Sequence, residues 1–200
     1  ALIHECFIKN SYFSYIKNND IIDIGSGNGL SCFCLSKYTD RKVYCFEASS
    51  KVYDLFQESI KLNNKQEKIA SYNLAIGSKK QSIYVSNGIG NNNVTSLNIQ
   101  SSSVLMDTID NLVKELNIRP KMINIWVNGD EYECLLGMLS TIKTFKPILH
   151  INISYSAEIL FQVINLATRL LSDYSFKIQK TTEPHIVQEL FLIAIPQELN

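Results

Sequence analysis

Ile21-Ile22-Asp23-Ile24-Gly25-Ser26-Gly27-Asn28-Gly29 is an apolar run that ends in a glycine-rich turn, and eighteen residues beyond Gly29 a second run, Val43-Tyr44-Cys45-Phe46-Glu47, ends in an acid. Three β-branched residues before Gly25 read as a buried strand, and Leu30-Ser31-Cys32-Phe33 opens a helix behind the glycines. Glycine lets backbone come close to a ligand. A carboxylate at the tip of the next strand, here Glu47, can accept hydrogen bonds from both hydroxyls of a ribose. Together they describe a nucleotide pocket. The spacing is GxGxG rather than the GxGxxG of dinucleotide enzymes, and Asp23 lies two residues before the first glycine. A tight strand-to-helix connection without a ligand would use the same glycines, but it gives no reason for Glu47.

Around this pair, apolar runs alternate with helical patterns. Strands are expected near 21–25, 43–47, 69–74, 121–127, 148–153, 175–180 and 189–195, and helices near 30–38, 51–63, 108–117, 131–143 and 156–172. An entry helix is expected between Leu2 and Ile16. The alternation predicts an α/β fold, a doubly wound, Rossmann-like sheet of seven mostly parallel strands with helices on both faces. The last two strands follow each other directly through Thr181 to Ile186 and should form an antiparallel edge hairpin. Gly77 to Ser103 is rich in Ser, Asn and Gly, with an alternating patch at Gln81 to Ser86. Its Gly88-to-Asn93 centre reads as a ligand-covering loop or as a surface insertion without a role.

A chain of 200 residues with 46% hydrophobic content fits one domain, 1–200. It starts at Ala1 without an initiator Met and ends just after an apolar strand, the pattern of a domain cut from a longer polypeptide. The charge is balanced, 19 basic against 19 acidic residues, which argues against nucleic acid as a partner. Apolar stretches such as Leu190 to Ile195 are too short to span a bilayer, and no signal peptide is evident, so membrane insertion is not expected and the location is read as cytoplasmic. Cys6, Cys32, Cys34, Cys45 and Cys134 are an odd count without CxxC spacing and read as reduced core residues.

In order and spacing these motifs resemble the FkbM family of S-adenosylmethionine-dependent methyltransferases, from Ile21 to Asn152, about two thirds of the chain. The family pattern Asp-x-Gly-x-x-x-Gly is matched by Asp23, Gly25 and Gly29, its Phe-Glu strand end by Phe46-Glu47, and its paired asparagine region by Leu62-Asn63-Asn64. Asn73, Ala75 and Gly77 match the segment after the third strand, and Thr108-Ile109-Asp110 matches a Thr-Leu-Asp before a helix. The next signature resembles I-K-I-D-V-E-G-A-E, aligned with Ile123 to Glu131 and followed by Leu135, Leu136 and Gly137. Gly129 and Glu131 are kept, while two family acids have become Trp126 and Asn128.

The resemblance implies S-adenosyl-L-methionine as the cofactor. Asp23, Gly25, Ser26, Gly27 and Gly29 would line its methionine and ribose side, Glu47 the ribose hydroxyls, and Ala48, Leu74 and Ala75 the adenine. Trp126 and Asn128 stand where family acids sit beside donor and acceptor, which makes them candidate substrate contacts. The Trp126 ring could stack on the C–H face of a sugar or simply fill core.

For a base, Asp130 is the first candidate because it follows the fourth strand on the side of the sheet where doubly wound folds bind ligands. Glu131 reads as structural, an acid in the first turn of a helix. Asn152 and His150 alternate to one face of the fifth strand; Asn152 could touch an acceptor hydroxyl, whereas a mid-strand histidine such as His150 is more often a core residue than a catalyst. With those acids gone no metal is expected.

The expected activity is O-methylation of a hydroxyl on a sugar or glycan, a deoxyhexose such as rhamnose or fucose, in glycan biosynthesis and in some cases in fusion with glycosyltransferase domains. Two alternatives stay open, a module that binds the donor without turnover and an NAD-dependent sugar enzyme.

Overall fold

Strand β1 (Asp20–Ile24) is buried at every residue, which a strand with both faces covered requires. The computed structural model describes residues 15–86, 101–180 and 190–199. Beside β1 lie β2 (Val43–Glu47) and β3 (Ile69–Asn73) on one side, and β7 (Pro120–Ile125) and β8 (Ile148–Asn152) on the other, all parallel. Strand β10 (Leu190–Pro196) inserts antiparallel between β8 and β9 (Tyr174–Lys180), so the order is β3-β2-β1-β7-β8-β10-β9. The expected hairpin thus forms, with β9 as the edge.

Helices cover both faces. On one, α1 (Leu30–Leu35) and α2 (Ser50–Leu62) bury Cys32, Leu35, Phe56 and Ile60 against Ile21, Val43, Met122, Ile148 and Ile193. On the other, α3 (Ile109–Glu115), α4 (Glu131–Leu136), α5 (Leu139–Phe145) and α6 (Ala157–Leu170) cover Ile22, Ile24, Ile123, Ile125, Leu149 and Ile151. Adjacent residues such as Ile21 and Ile22 face opposite cores, as the two-residue period of a strand dictates.

Two expectations need correction. The single helix at 131–143 is two, α4 and α5, because the Gly137 carbonyl accepts the Asp110 amide at 3.0 Å and a Cβ on Gly137 would stand 2.0 Å from the Gly77 oxygen. The polar stretch after β3 is not all loop. Strands β4 (Ala75–Ile76), β5 (Gln81–Ser86) and β6 (Ser101–Asp107) form a separate three-stranded sheet in the order β4-β6-β5. The alternation at 81–86 is its signature: Gln81, Ile83 and Val85 turn into a cleft, and Tyr84 stands 80% exposed on the other face. The entry helix, the centre of the polar loop and the hairpin loop lie outside the described residues.

Candidate functional site

From β1 the chain moves outward through β2 and β3 and then returns to β7 on β1's other side. That reversal parts the loops at the carboxyl ends of β1 and β7, where doubly wound sheets bind their ligands. A cleft of about 790 Å³ opens there.

The glycine turn forms its floor. Gly25 has φ +77°, and a Cβ there would lie 1.9 Å from the Trp126 carbonyl oxygen, so the turn packs against the loop after β7. A Cβ on Gly29 would collide with the Phe56 ring. Gly27 differs, since nothing lies within 4 Å of where its Cβ would be and it faces the open cleft. Its amide donates to Glu47 Oε2 at 2.8 Å, and Ser49 N donates to Oε1 at 2.8 Å. Two backbone donors thereby aim the carboxylate and leave it further acceptor capacity. Asn73 Nδ2 donates to the Glu47 and Ala48 carbonyls at 2.9 and 3.1 Å and fixes the chain just after β2. Its motif was recognisable in the sequence, but its positioning role needs the third strand folded beside the second.

Of the residues expected at a site, Gly25, Gly27, Glu47, Ala48, Leu74, Ala75, Trp126, Asn128 and Asp130 line the cleft. Asp23, Ser26, Gly29, His150 and Asn152 do not. The small sheet and α2 add an apolar wall of Ile83, Val85, Met106, Val52 and Leu55, which no motif in the sequence marks as lining a site. Three carboxylates, Glu47, Asp130 and Glu133, and one ammonium, Lys79, stand among the described lining residues. Burial first, and then the neighbouring Glu133, raise the Asp130 pKa above the ordinary carboxylate range, which makes it a stronger base. Trp126 meets Phe191 edge to face with centroids 5.6 Å apart.

Asp23 is wholly buried behind the turn. Its Oδ2 accepts from Ser31 Oγ at 2.6 Å and its Oδ1 from Asn124 Nδ2. Burial raises its pKa, against the lowering effect of these hydrogen bonds. Asn124 Oδ1 lies 2.7 Å from His150 Nδ1. Because the Asn124 amide nitrogen is committed to Asp23, its oxygen faces the ring and Nδ1 carries the proton. His150 stacks on Phe191 at 4.4 Å, and burial pushes its pKa down to about 3. His150 is therefore a neutral core residue at ordinary pH. Asn152 is also turned away from the cleft, its Oδ1 accepting from Ser154 N and Ser154 Oγ at 2.9 and 2.7 Å.

The cysteines depart from expectation as well. Cys32 of α1 and Cys45 of β2 are joined in a disulfide, whereas Cys34 and Cys134 are free. Cys32 Sγ lies 2.9 Å from Asp23 Oδ2 but, as a disulfide sulfur, has no proton to donate. Asp23, Cys32 and Cys45 bring potential ligand atoms within 4.8 Å of one another, yet sulfurs bonded to each other offer no thiolate to a metal. No helix among the described residues is long and apolar enough to cross a membrane.

Neither a family model nor a curated protein matches the sequence. Solved structures do match. The methyltransferase FkbM from Methylobacillus flagellatus KT superposes with a TM-score of 0.67 at 17% identity, covering 88% of this chain and 43% of that one. The chain therefore spans less than half the length of that protein. An rRNA methylase from Streptococcus thermophilus gives 0.59 at 11% identity, over 98% of this chain and 96% of its own. SMU.1697c from Streptococcus mutans, solved in complex with SAH, gives 0.55 at 16% identity, over 94% and 95%. The chain thus has the Rossmann-like fold of the class I methyltransferases, similar to that of FkbM.

Proposed function

We propose that the chain is an S-adenosylmethionine-dependent O-methyltransferase that acts on a sugar hydroxyl, with a deoxyhexose such as rhamnose or fucose as the expected acceptor. The observation that carries the reading is the Glu47 carboxylate, aimed by the Gly27 and Ser49 amides beside the one glycine of the turn that faces open space. Such a carboxylate suits a ribose diol. The cleft's size falls within the range of small-molecule sites. Its charge supports a cationic donor: among the described lining residues three carboxylates stand against one lysine, whereas NAD would bring an anionic pyrophosphate.

When bound, S-adenosylmethionine supplies a methyl group on a sulfonium that departs as a neutral sulfide. The chain's contribution is alignment and one proton transfer. Glu47 and the glycine turn hold the nucleoside end. Asp130 accepts the hydroxyl proton as the acceptor oxygen bonds to the methyl carbon and the C–S electron pair returns to sulfur. Trp126 offers an apolar ring to the sugar, in edge-to-face contact with Phe191.

Methyl transfer from labelled donor to a panel of deoxyhexosides, other glycosides and rRNA, with Asp130→Ala beside the wild type, tests the reading. Transfer to the sugars that falls at least about a hundredfold in the variant is expected for a general base. Labelling of rRNA alone would move the acceptor to nucleic acid. Trp126 and Asn128 offer no carboxylate, which favours a second reading as a donor-binding module; tight donor binding without transfer to any acceptor would select it.

A further inference from the structure

Between β7 and α4 the backbone takes two consecutive left-handed residues, Asn128 at φ +55° and Gly129 at φ +123°. Glycine takes such a conformation freely and asparagine more readily than other residues with a side chain, so the sequence permits this loop and its contacts select it. Its outer side is held by Tyr155, whose ring would stand 2.9 Å from a Cβ on Gly129. Its inner side is held by Glu131. That side chain is 0% exposed, and its Oε1 and Oε2 accept the Val127 and Gly129 amides at 3.2 and 3.0 Å. No lysine or arginine pairs with it among the described residues. A buried carboxylate whose partners are backbone amides of one loop is a costly way to add stability but an effective way to fix a shape.

The loop so fixed bounds the cleft. It carries Trp126, Asn128 and Asp130, and its Trp126 carbonyl and Val127 side chain back the glycine turn at Gly25. We infer that Glu131 is a positioning residue: it clamps the 126–130 loop through the Val127 and Gly129 amides, and so sets both the wall against the glycine turn and the placement of Asp130. What that wall does for a donor and an acceptor rests on the methyltransferase reading. The clamp itself does not.

The Glu131→Gln variant keeps the side chain's size and one acceptor but turns an NH₂ toward an amide that needs an acceptor. It is compared with Glu131→Ala and with Glu158→Gln on an exposed part of α6, all well below their melting temperatures. Two readouts are taken: affinity for S-adenosylhomocysteine by calorimetry, and acrylamide quenching of Trp126, the only tryptophan. Glu131→Gln should weaken binding about tenfold, equivalent to about 1.4 kcal/mol, and Glu131→Ala more; both should raise the quenching constant about twofold, and Glu158→Gln should change neither. A residue that only added stability would lower the melting temperature and leave affinity and quenching of the folded protein at wild-type values, which would overturn the inference. Should Glu131→Ala fail to fold, the near-isosteric Gln variant carries the comparison. If the wild type does not bind S-adenosylhomocysteine, the methyltransferase reading falls, and unchanged quenching in Glu131→Gln still decides against the clamp, raised quenching for it.

Discussion

The Gly27 amide, in the turn after β1, and the Glu47 carboxylate, at the end of the adjacent parallel strand β2, are joined by a 2.8 Å hydrogen bond where both line the cleft. The bond makes the two halves of the site one unit, since neither the turn nor the acid can shift without the other. It also makes Glu47 the most exacting place to test the proposed donor pocket. Glu47→Ala should lower S-adenosylhomocysteine affinity tenfold to a hundredfold, the effect of losing about 1.5–3 kcal/mol of charge-assisted hydrogen bonding, as measured by calorimetry. Unchanged affinity would remove the carboxylate from the site.

Gly25 and Gly27 should respond differently to the same substitution. Gly25→Ala forces a methyl group into the Trp126 carbonyl and is expected to lower stability by at least about 2 kcal/mol in chemical denaturation. Gly27→Ala meets no atom and carries only the strain of φ +54°, about 1–2 kcal/mol. Its methyl group nonetheless enters the cleft, so donor affinity should fall more than tenfold while the protein stays folded.

His150 sets a pH dependence of stability. Its folded pKa, about 3, lies below the 6.5 of the free side chain, so the unfolded chain binds the extra proton first. The native state is fully favoured above pH 6.5 and loses about 1.4 kcal/mol per pH unit as the pH falls from there toward 3. Asp23 acts with the opposite sign in the acid part of that window, because its raised pKa lets the folded chain hold a proton that the unfolded chain gives up. Denaturation of His150→Gln between pH 4 and 7 should show a slope shallower by the histidine's share. An unchanged slope would mean the ring titrates freely.

Cys45→Ala, or full reduction, should cost about 3 kcal/mol, the loop-closure value for a cross-link spanning 13 residues. Denaturation with and without reductant measures it, and thiol titration of the unfolded, unreduced chain should leave Cys32 and Cys45 unlabelled.

Much of this architecture can be read from the sequence because its central strands are short, β-branched and bounded by glycine or acid. Ile21 to Ile24 and Val43 to Glu47 fall in register where their patterns place them. Residues that line the cleft were legible where the motifs place them: Gly27 in the turn after β1, Glu47 at the end of β2 and Asp130 in the loop after β7. The rest was illegible where tertiary neighbours decide. Gly137 ends α4 because the Gly77 backbone crosses it. The partner of His150, Asn124, stands 26 residues earlier and meets it only once β8 lies beside β7. The apolar wall from β5 stayed hidden because six alternating residues in a polar stretch declare a strand only once β6 pairs with them.

Asp23, Asn124 and His150 stand directly opposite one another on β1, β7 and β8. A one-residue slip of β7 would swing Asn124 to the far face and take a hydrogen-bond donor from Asp23, and a slip of β8 would swing His150 away and leave the Asn124 oxygen unpaired in hydrocarbon. The polar row therefore works as a proofreading mark for assembly: the wrong alignments, which hydrophobic burial alone would tolerate among so many isoleucines, are each made expensive by a buried polar group that loses its partner.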